Sequence, residues 1–285
     1  MYNAIVSTAY WGTILATAGI ALIVSLIYSS QEKLLYFPDT KTMINPQSYF
    51  DPDKFEEIYL TTSDGIKVQT WFFRQENSKN VPTLLFCHSN AGNLSHRLDN
   101  IKNLFDNVNI NVFILSYRGY GFSEGTPSEP GLKKDIDACM EYLLSDPLID
   151  PNQIICFGRS LGGAVAIDTA KRYPNDIKAL ILENTFTSVP DMVDEVLPML
   201  KLFKPFCRNR WESNNAIKDV RCDILFLSAK NDELVPSKHM TSLAENAKHS
   251  KKKIIVFEDG AHMTLMFQKN YYKFIKEFLD SVFIN

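Results

Sequence analysis

The 285-residue sequence predicts an α/β fold, a mostly parallel sheet covered by helices on both faces. Three observations predict it. Short apolar runs recur along the chain, at Val81 to Cys87, Asn111 to Ser116, Gln153 to Phe157, Ile177 to Leu182, Ile224 to Leu227 and Lys253 to Phe257. Stretches with helical character separate them: Leu94 to Asn107, Gly131 to Leu144, Leu161 to Tyr173, Ser237 to Ala247 and Thr264 to Phe283. The small, polar segments able to carry chemistry follow the apolar runs, at the carboxyl ends of the strands, where open α/β sheets bind ligands.

At the N-terminus, residues 1–31 contain no Asp, Glu, Lys or Arg. From Tyr10-Trp11 to Tyr28 the chain has 19 residues, roughly 28 Å as a helix and so close to the thickness of a bilayer core. Aromatic residues at both ends suit the two interfaces, and Glu32-Lys33 marks the return to water. A cleaved signal peptide would have a shorter apolar run and a basic start, and a buried core helix would have a polar face. The expectation is a single-pass anchor, placing the protein in a membrane such as the endoplasmic reticulum or plasma membrane. The charges do not fix the side on which the domain lies.

Residues 32–55, rich in Pro, Asn, Asp and aromatic residues without a period, read as a linker, and residues 56–285 as one globular domain. Glu56 to Thr62 and Ile66 to Arg74, joined by Ser63-Asp64-Gly65, predict a hairpin at one edge of the sheet. A net charge of -3 and a pI near 6.0 give no basic surface for nucleic acid. The five cysteines are scattered, without metal-ligand spacing, and read as reduced side chains.

The run Gln153 to Phe157 leads into Gly158-Arg159-Ser160-Leu161-Gly162-Gly163-Ala164, a G-x-S-x-G sequence between a strand and a helix. A serine hydroxyl is a weak nucleophile unless a turn presents it to a base at the positive end of a helix. Glycines at 158 and 162 allow strand and helix to cross closely there, and the N–H of Leu161 can meet a developing oxyanion. A second N–H would come from His88-Ser89-Asn90-Ala91-Gly92-Asn93 after the run Val81 to Cys87, with Asn90 the candidate. His88 reads as a loop-shaping hydrogen bonder, and Tyr117 to Gly125 as part of the pocket wall.

Asp232, after the run Ile224 to Leu227, is the candidate acid, with Glu233 and Glu183 as alternatives. His262, before the last helix, is the candidate base and completes the order Ser, acid, His. Residues 185–221 are short and apolar with three prolines, and would form a small cap that lines an acyl pocket or packs as a lid.

His88 to Asn93, Ser95-His96-Arg97-Leu98, Tyr117-Arg118-Gly119-Tyr120-Gly121, Gly158 to Ala164 and Leu182-Glu183-Asn184-Thr185-Phe186 together resemble the α/β-hydrolase superfamily, and within it the Bem-type branch. The resemblance covers residues 81–265 and implies Ser160 as nucleophile, Asp232 as acid, His262 as base and an N-terminal membrane anchor. The chain departs from the family pattern at His88-Ser89, where His-Gly is expected, and at Met263-Thr264. The implied activity is that of a serine hydrolase. Its substrate would be an acyl ester or thioester on a small molecule, a lipid or an acylated protein, with no cofactor or metal. The competing reading is a membrane-tethered interaction module that keeps the fold without turnover.

Overall fold

The structure is a computed structural model that describes the backbone of residues 2–283 and the side chains of residues 11, 14, 15, 17–19 and 21–283. A first helix, α1 (Tyr2–Ser29), is followed by the short α2 (Gln31–Leu35) and the two-residue strand β1 (Phe37–Pro38). The hairpin is β2 (Phe55–Thr61) and β3 (Lys67–Phe73), paired antiparallel. Then come β4 (Thr83–Cys87), β5 (Ala91–Gly92), α3 (Leu98–Asn103) and β6 (Asn111–Leu115). The elbow region contributes α4 (Glu129–Ser145), β7 (Ile154–Arg159), α5 (Leu161–Arg172) and β8 (Ile177–Glu183). The cap holds α6 (Val189–Val196), a 3-10 helix at Pro198–Phe206 and α7 (Ser213–Ala216). The chain closes with β9 (Asp223–Ala229), α8 (Lys238–Asn246), β10 (Lys252–Phe257) and α9 (Tyr271–Phe283).

Eight strands form one sheet in the order β10-β9-β8-β7-β4-β6-β3-β2, parallel from β10 to β6 and antiparallel across β3 and β2. The strands β4, β6 and β7 are buried at every residue. That is why they read as unbroken apolar runs: helices cover both faces, so neither side alternates with polar residues. The two sides separate into two hydrophobic clusters, one with Leu85, Phe113 and Cys156 against α4 and α5, the other with Leu84, Phe86 and Phe157 against α3 and α9. Cys87, Cys139 and Cys156 are buried free thiols, and burial pushes the Cys87 thiol up to about 12.

Three expectations change. The last helix starts at Tyr271 rather than Thr264, because Asn270 takes a left-handed φ of 67° and separates a short 3-10 turn from α9. The stretch 32–55 is folded into the domain. Tyr36 is 2% exposed, β1 pairs with β5, and Phe50 packs in the core against Phe73 at 4.4 Å. The loop after β6 stitches elements together and is absent from the cavity wall. Arg118 binds Asp135 of α4 at 2.9 Å and both carboxylate oxygens of Asp64 in the hairpin turn at 3.0 Å. A nearly buried guanidinium needs such partners, so this arginine is consumed by structure.

The backbone of the expected anchor is helical over Tyr2–Ser29, but much of that segment's side-chain set lies outside the described residues. Among the described residues no helix is long and apolar enough to cross a membrane.

Candidate active site

Ser160 sits between β7 and α5 with φ 54° and ψ -120°. A non-glycine residue held there stores about 1–3 kcal/mol of strain. Neighbouring bonds hold the turn: Ser160 N–H donates to the Glu183 carbonyl at 3.0 Å, while the Ser160 carbonyl accepts from Gly163 N–H at 2.9 Å and Thr185 Oγ1 at 2.7 Å. The glycines are sterically required. A Cβ on Gly158 would lie 2.1 Å from the Gly162 oxygen, and one on Gly162 only 1.9 Å from the Cys87 oxygen. Leu161 heads α5, so its N–H is among those with no partner inside the helix.

Asp232 and His262 meet directly. His262 Nδ1 lies 2.8 Å from Asp232 Oδ2, and the two side chains are almost wholly buried. The other Asp232 oxygen accepts the N–H groups of Leu234 and Val235 at 2.9 and 2.7 Å, which fixes the carboxylate's orientation. The alternative acids are occupied elsewhere. Glu233 accepts the backbone N–H of His262 at 3.0 Å. Glu183 is fully buried behind the elbow, where its Oε1 is 2.7 Å from Arg159 Nε and its Oε2 accepts from Tyr271 Oη at 2.5 Å. Arg159 Nε points off the hydrogen-bond axis, so charge attraction, with a 3.2 Å bond from the other guanidinium nitrogen, joins that pair.

Ser160 is linked to the His262 loop through two consecutive residues. Asn184, with φ 44°, donates to the His262 carbonyl at 3.0 Å and accepts from Ala229 N–H at 2.8 Å; Thr185 donates to the Ser160 carbonyl. Sequence reasoning placed these residues at a strand end without a role. Their signal was an amide and a hydroxyl side by side where β8 enters the reaction rim.

The loop carrying Asn90 is fixed from three sides. The Asn90 carbonyl accepts from Phe37 N–H at 2.9 Å and Tyr120 Oη at 2.7 Å, and its side chain donates to the Leu35 carbonyl at 3.0 Å. Beneath it, the His88 ring packs against Tyr117 and Tyr120 with centroids at 4.2 and 5.2 Å. Burial pushes the His88 pKa down to about 3, so it stays neutral at physiological pH. Ser89 replaces the family's glycine without strain, because it is not among the residues with positive φ.

Above Ser160 opens a cavity of about 560 Å³, a size that suits a small-molecule site. Ser160, Leu161 and Asn90 form its floor, and Phe186, Val189, Met192, Val193, Leu197, Leu200 and Phe203 of the cap its roof. Ile27, Leu34, Leu35 and Phe37 line it too, a contribution from the N-terminal segment that sequence analysis assigned to anchor and linker. That segment grips the cap. Gln31 exchanges hydrogen bonds with the backbone of Phe206 and Arg208 at 2.9 and 2.8 Å, and Glu32 pairs with Arg208 at 2.6 Å. Tyr36 Oη donates to Asn209 and accepts from Trp211 Nε1, both at 3.1 Å.

A mainly parallel sheet, a strained serine turn between strand and helix, and an apolar cavity over that turn define an α/β-hydrolase fold. A family model described as the alpha/beta hydrolase fold matches residues 82–211. The alpha/beta hydrolase domain-containing protein WAV2 of Arabidopsis thaliana is 39% identical over 268 residues, covering 87% of this chain and 85% of WAV2. Protein bem46 of Schizosaccharomyces pombe is 37% identical over 278 residues, covering 95% and 93%, and the membrane protein YNL320W of Saccharomyces cerevisiae 36% over 280, covering 96% of each. Among solved structures, the Pyrococcus furiosus esterase Pf2001 superposes with a TM-score of 0.70 at 18% identity, over 87% of this chain and 99% of that one. The chain belongs to the α/β-hydrolase family, in its Bem46-type branch.

Proposed function

We propose that the protein is a membrane-attached serine hydrolase that cleaves an acyl ester or thioester. The observations that carry the reading are the apolar cavity that ends on Ser160 and the buried Asp232–His262 hydrogen bond, whose loop Asn184 and Thr185 join to the Ser160 turn. In the proposed mechanism His262 Nε2 takes the proton of Ser160 as its oxygen attacks the carbonyl carbon. Asp232 holds the imidazole tautomer, and the N–H groups of Leu161 and Asn90 receive the oxyanion. Collapse returns the proton to the departing alcohol or thiol, and water, deprotonated by His262, releases the acid from the acyl-enzyme. No cofactor or metal is needed for these steps. The cavity's apolar lining favours an acyl chain over a charged group, and its openness to Ser160 weighs against an interaction module without turnover.

Membrane attachment would be through α1 as a single-pass helix, in the endoplasmic reticulum or plasma membrane. The uncharged residues 1–31 and the name of the yeast relative support it. The test is a fluorophosphonate probe with acyl esters and thioesters of graded chain length. The wild-type protein should be labelled and turn over the longer esters, and Ser160→Ala should do neither. Equal labelling of both proteins would remove Ser160 from the reaction.

A further inference from the structure

We propose that the cap's 3-10 helix is a bilayer-inserted ridge, and that acyl substrate passes from the lipid into the cavity between this ridge and the end of α1. The inference rests on the membrane attachment proposed above and adds the surface and the route. The helix Pro198–Phe206 has nine residues, whereas 3-10 helices longer than about 3–4 residues are uncommon because their hydrogen-bond geometry is poor. With three residues per turn, side chains three apart stack in columns. Leu197, Leu200 and Phe203 form one column and line the cavity. Met199 and Leu202 lie on the next and face outward, at 82% and 85% exposure. An element apolar on two faces with water on one of them is unfavourable, and such a patch marks a surface that something covers.

Its position says what covers it. Phe206, at the end of the ridge, is bonded through its carbonyl to Gln31, two residues past the end of α1, and Arg208 stacks over Tyr28 of α1 at 4.6 Å. The last turns of α1 carry Leu22, Ile23 and Leu26, all exposed. The outward column therefore continues the apolar surface of α1, and the surroundings of one extend to the other. Lys201, exposed between the two columns, is placed for lipid headgroups, with its aliphatic stem lying along apolar surface. Ile27 and Leu34 belong to the cavity wall, so the gap between α1 and cap leads from that apolar surface to Ser160.

The experiment uses the full chain reconstituted in phosphatidylcholine vesicles doped with a phosphatidylcholine that bears a diazirine on its acyl chain. After illumination, mass spectrometry should place labels on α1 and on residues 196–206. Ile254 and Val256 of β10, apolar and more than half exposed, should stay unlabelled. Labels absent from the ridge, or equal on β10, would overturn the proposal; ridge contacts that appear instead as protein-protein cross-links would assign the face to a second copy. In a second arm, Met199→Glu with Leu202→Glu should slow hydrolysis of a vesicle-embedded long-chain ester at least about tenfold, since carboxylates resist insertion. Hydrolysis of a short water-soluble ester should be unchanged. Equal effects on both substrates would overturn the route. Should the parent hydrolyse neither ester, the hydrolase reading fails and the labelling map alone decides the ridge.

Discussion

Gly162→Ala tests whether the close crossing of β4 and α5 builds the site. The new Cβ would lie 1.9 Å from the Cys87 carbonyl oxygen and 2.7 Å from that of His88, both backbone atoms that cannot rotate away. Ordinary contact begins at 3.4 Å, so the start of α5 must withdraw by roughly 1.5 Å. Overpacking of this kind costs about 1–3 kcal/mol, and at roughly 2–4 °C per kcal/mol for a chain of this size the melting temperature should fall by about 2–12 °C. The start of α5 carries Ser160 and the Leu161 N–H, and a displacement near 1 Å should lower kcat/KM by about 10²-fold. Gly19→Ala is the control, because a Cβ there meets nothing within 4 Å. Melting by circular dichroism and turnover of a soluble ester, measured on both variants, make the comparison. A Gly162→Ala protein with full turnover and an unchanged melting temperature would refute the steric argument.

Asp232→Asn should reduce turnover by roughly 10⁴-fold without a comparable loss of stability, since an amide neither stabilises the imidazolium nor enforces its tautomer; a loss under tenfold would move the acid elsewhere. Glu183→Gln should act in the opposite way. It strands the buried Arg159 charge and should cost about 3–5 kcal/mol in denaturant unfolding, while the folded fraction keeps its pH-rate profile. Asp64, whose carboxyl the Arg118 guanidinium holds well below the usual carboxylate range, contributes stability that is present above its unfolded value and lost as pH falls through the depressed one. Asp64→Asn should therefore be less stable at neutral pH and show a shallower acid limb in urea titrations taken from pH 6 down to pH 2; parallel curves would exclude the pair.

The sheet was legible because apolar runs marked six of its eight strands and the Ser63-Asp64-Gly65 turn marked the hairpin pair, and the glycine spacing around Ser160 marked the crossing that those glycines permit. The choice among acids was not legible in the same way. Asp232, Glu233 and Glu183 all follow strands, and what separates them is Arg159 and Tyr271 claiming Glu183 from positions 24 and 88 residues away. Residues 32–55 lack a period because only very short elements, such as α2 and β1, organise them. Tyr36 owes its burial to Asn209 and Trp211, partners more than 170 residues distant that no local pattern announces. The Gly-punctuated loop after β6 looked like a wall of the pocket because its composition suits either use, and only the two carboxylates around Arg118 decide between them.

The bonds of Gln31, Glu32 and Tyr36 have a mechanical consequence. In nine residues the chain passes from the end of α1 to β1, and on the way it touches the roof of the cavity through Phe206, Arg208 and Asn209 and the floor through Asn90. A load applied to α1 therefore reaches both jaws of the cavity before it reaches the sheet. Cutting the chain after Tyr36 would remove a leash and also the strap that keeps those jaws at a set spacing, so the leash and the pocket form one mechanical part.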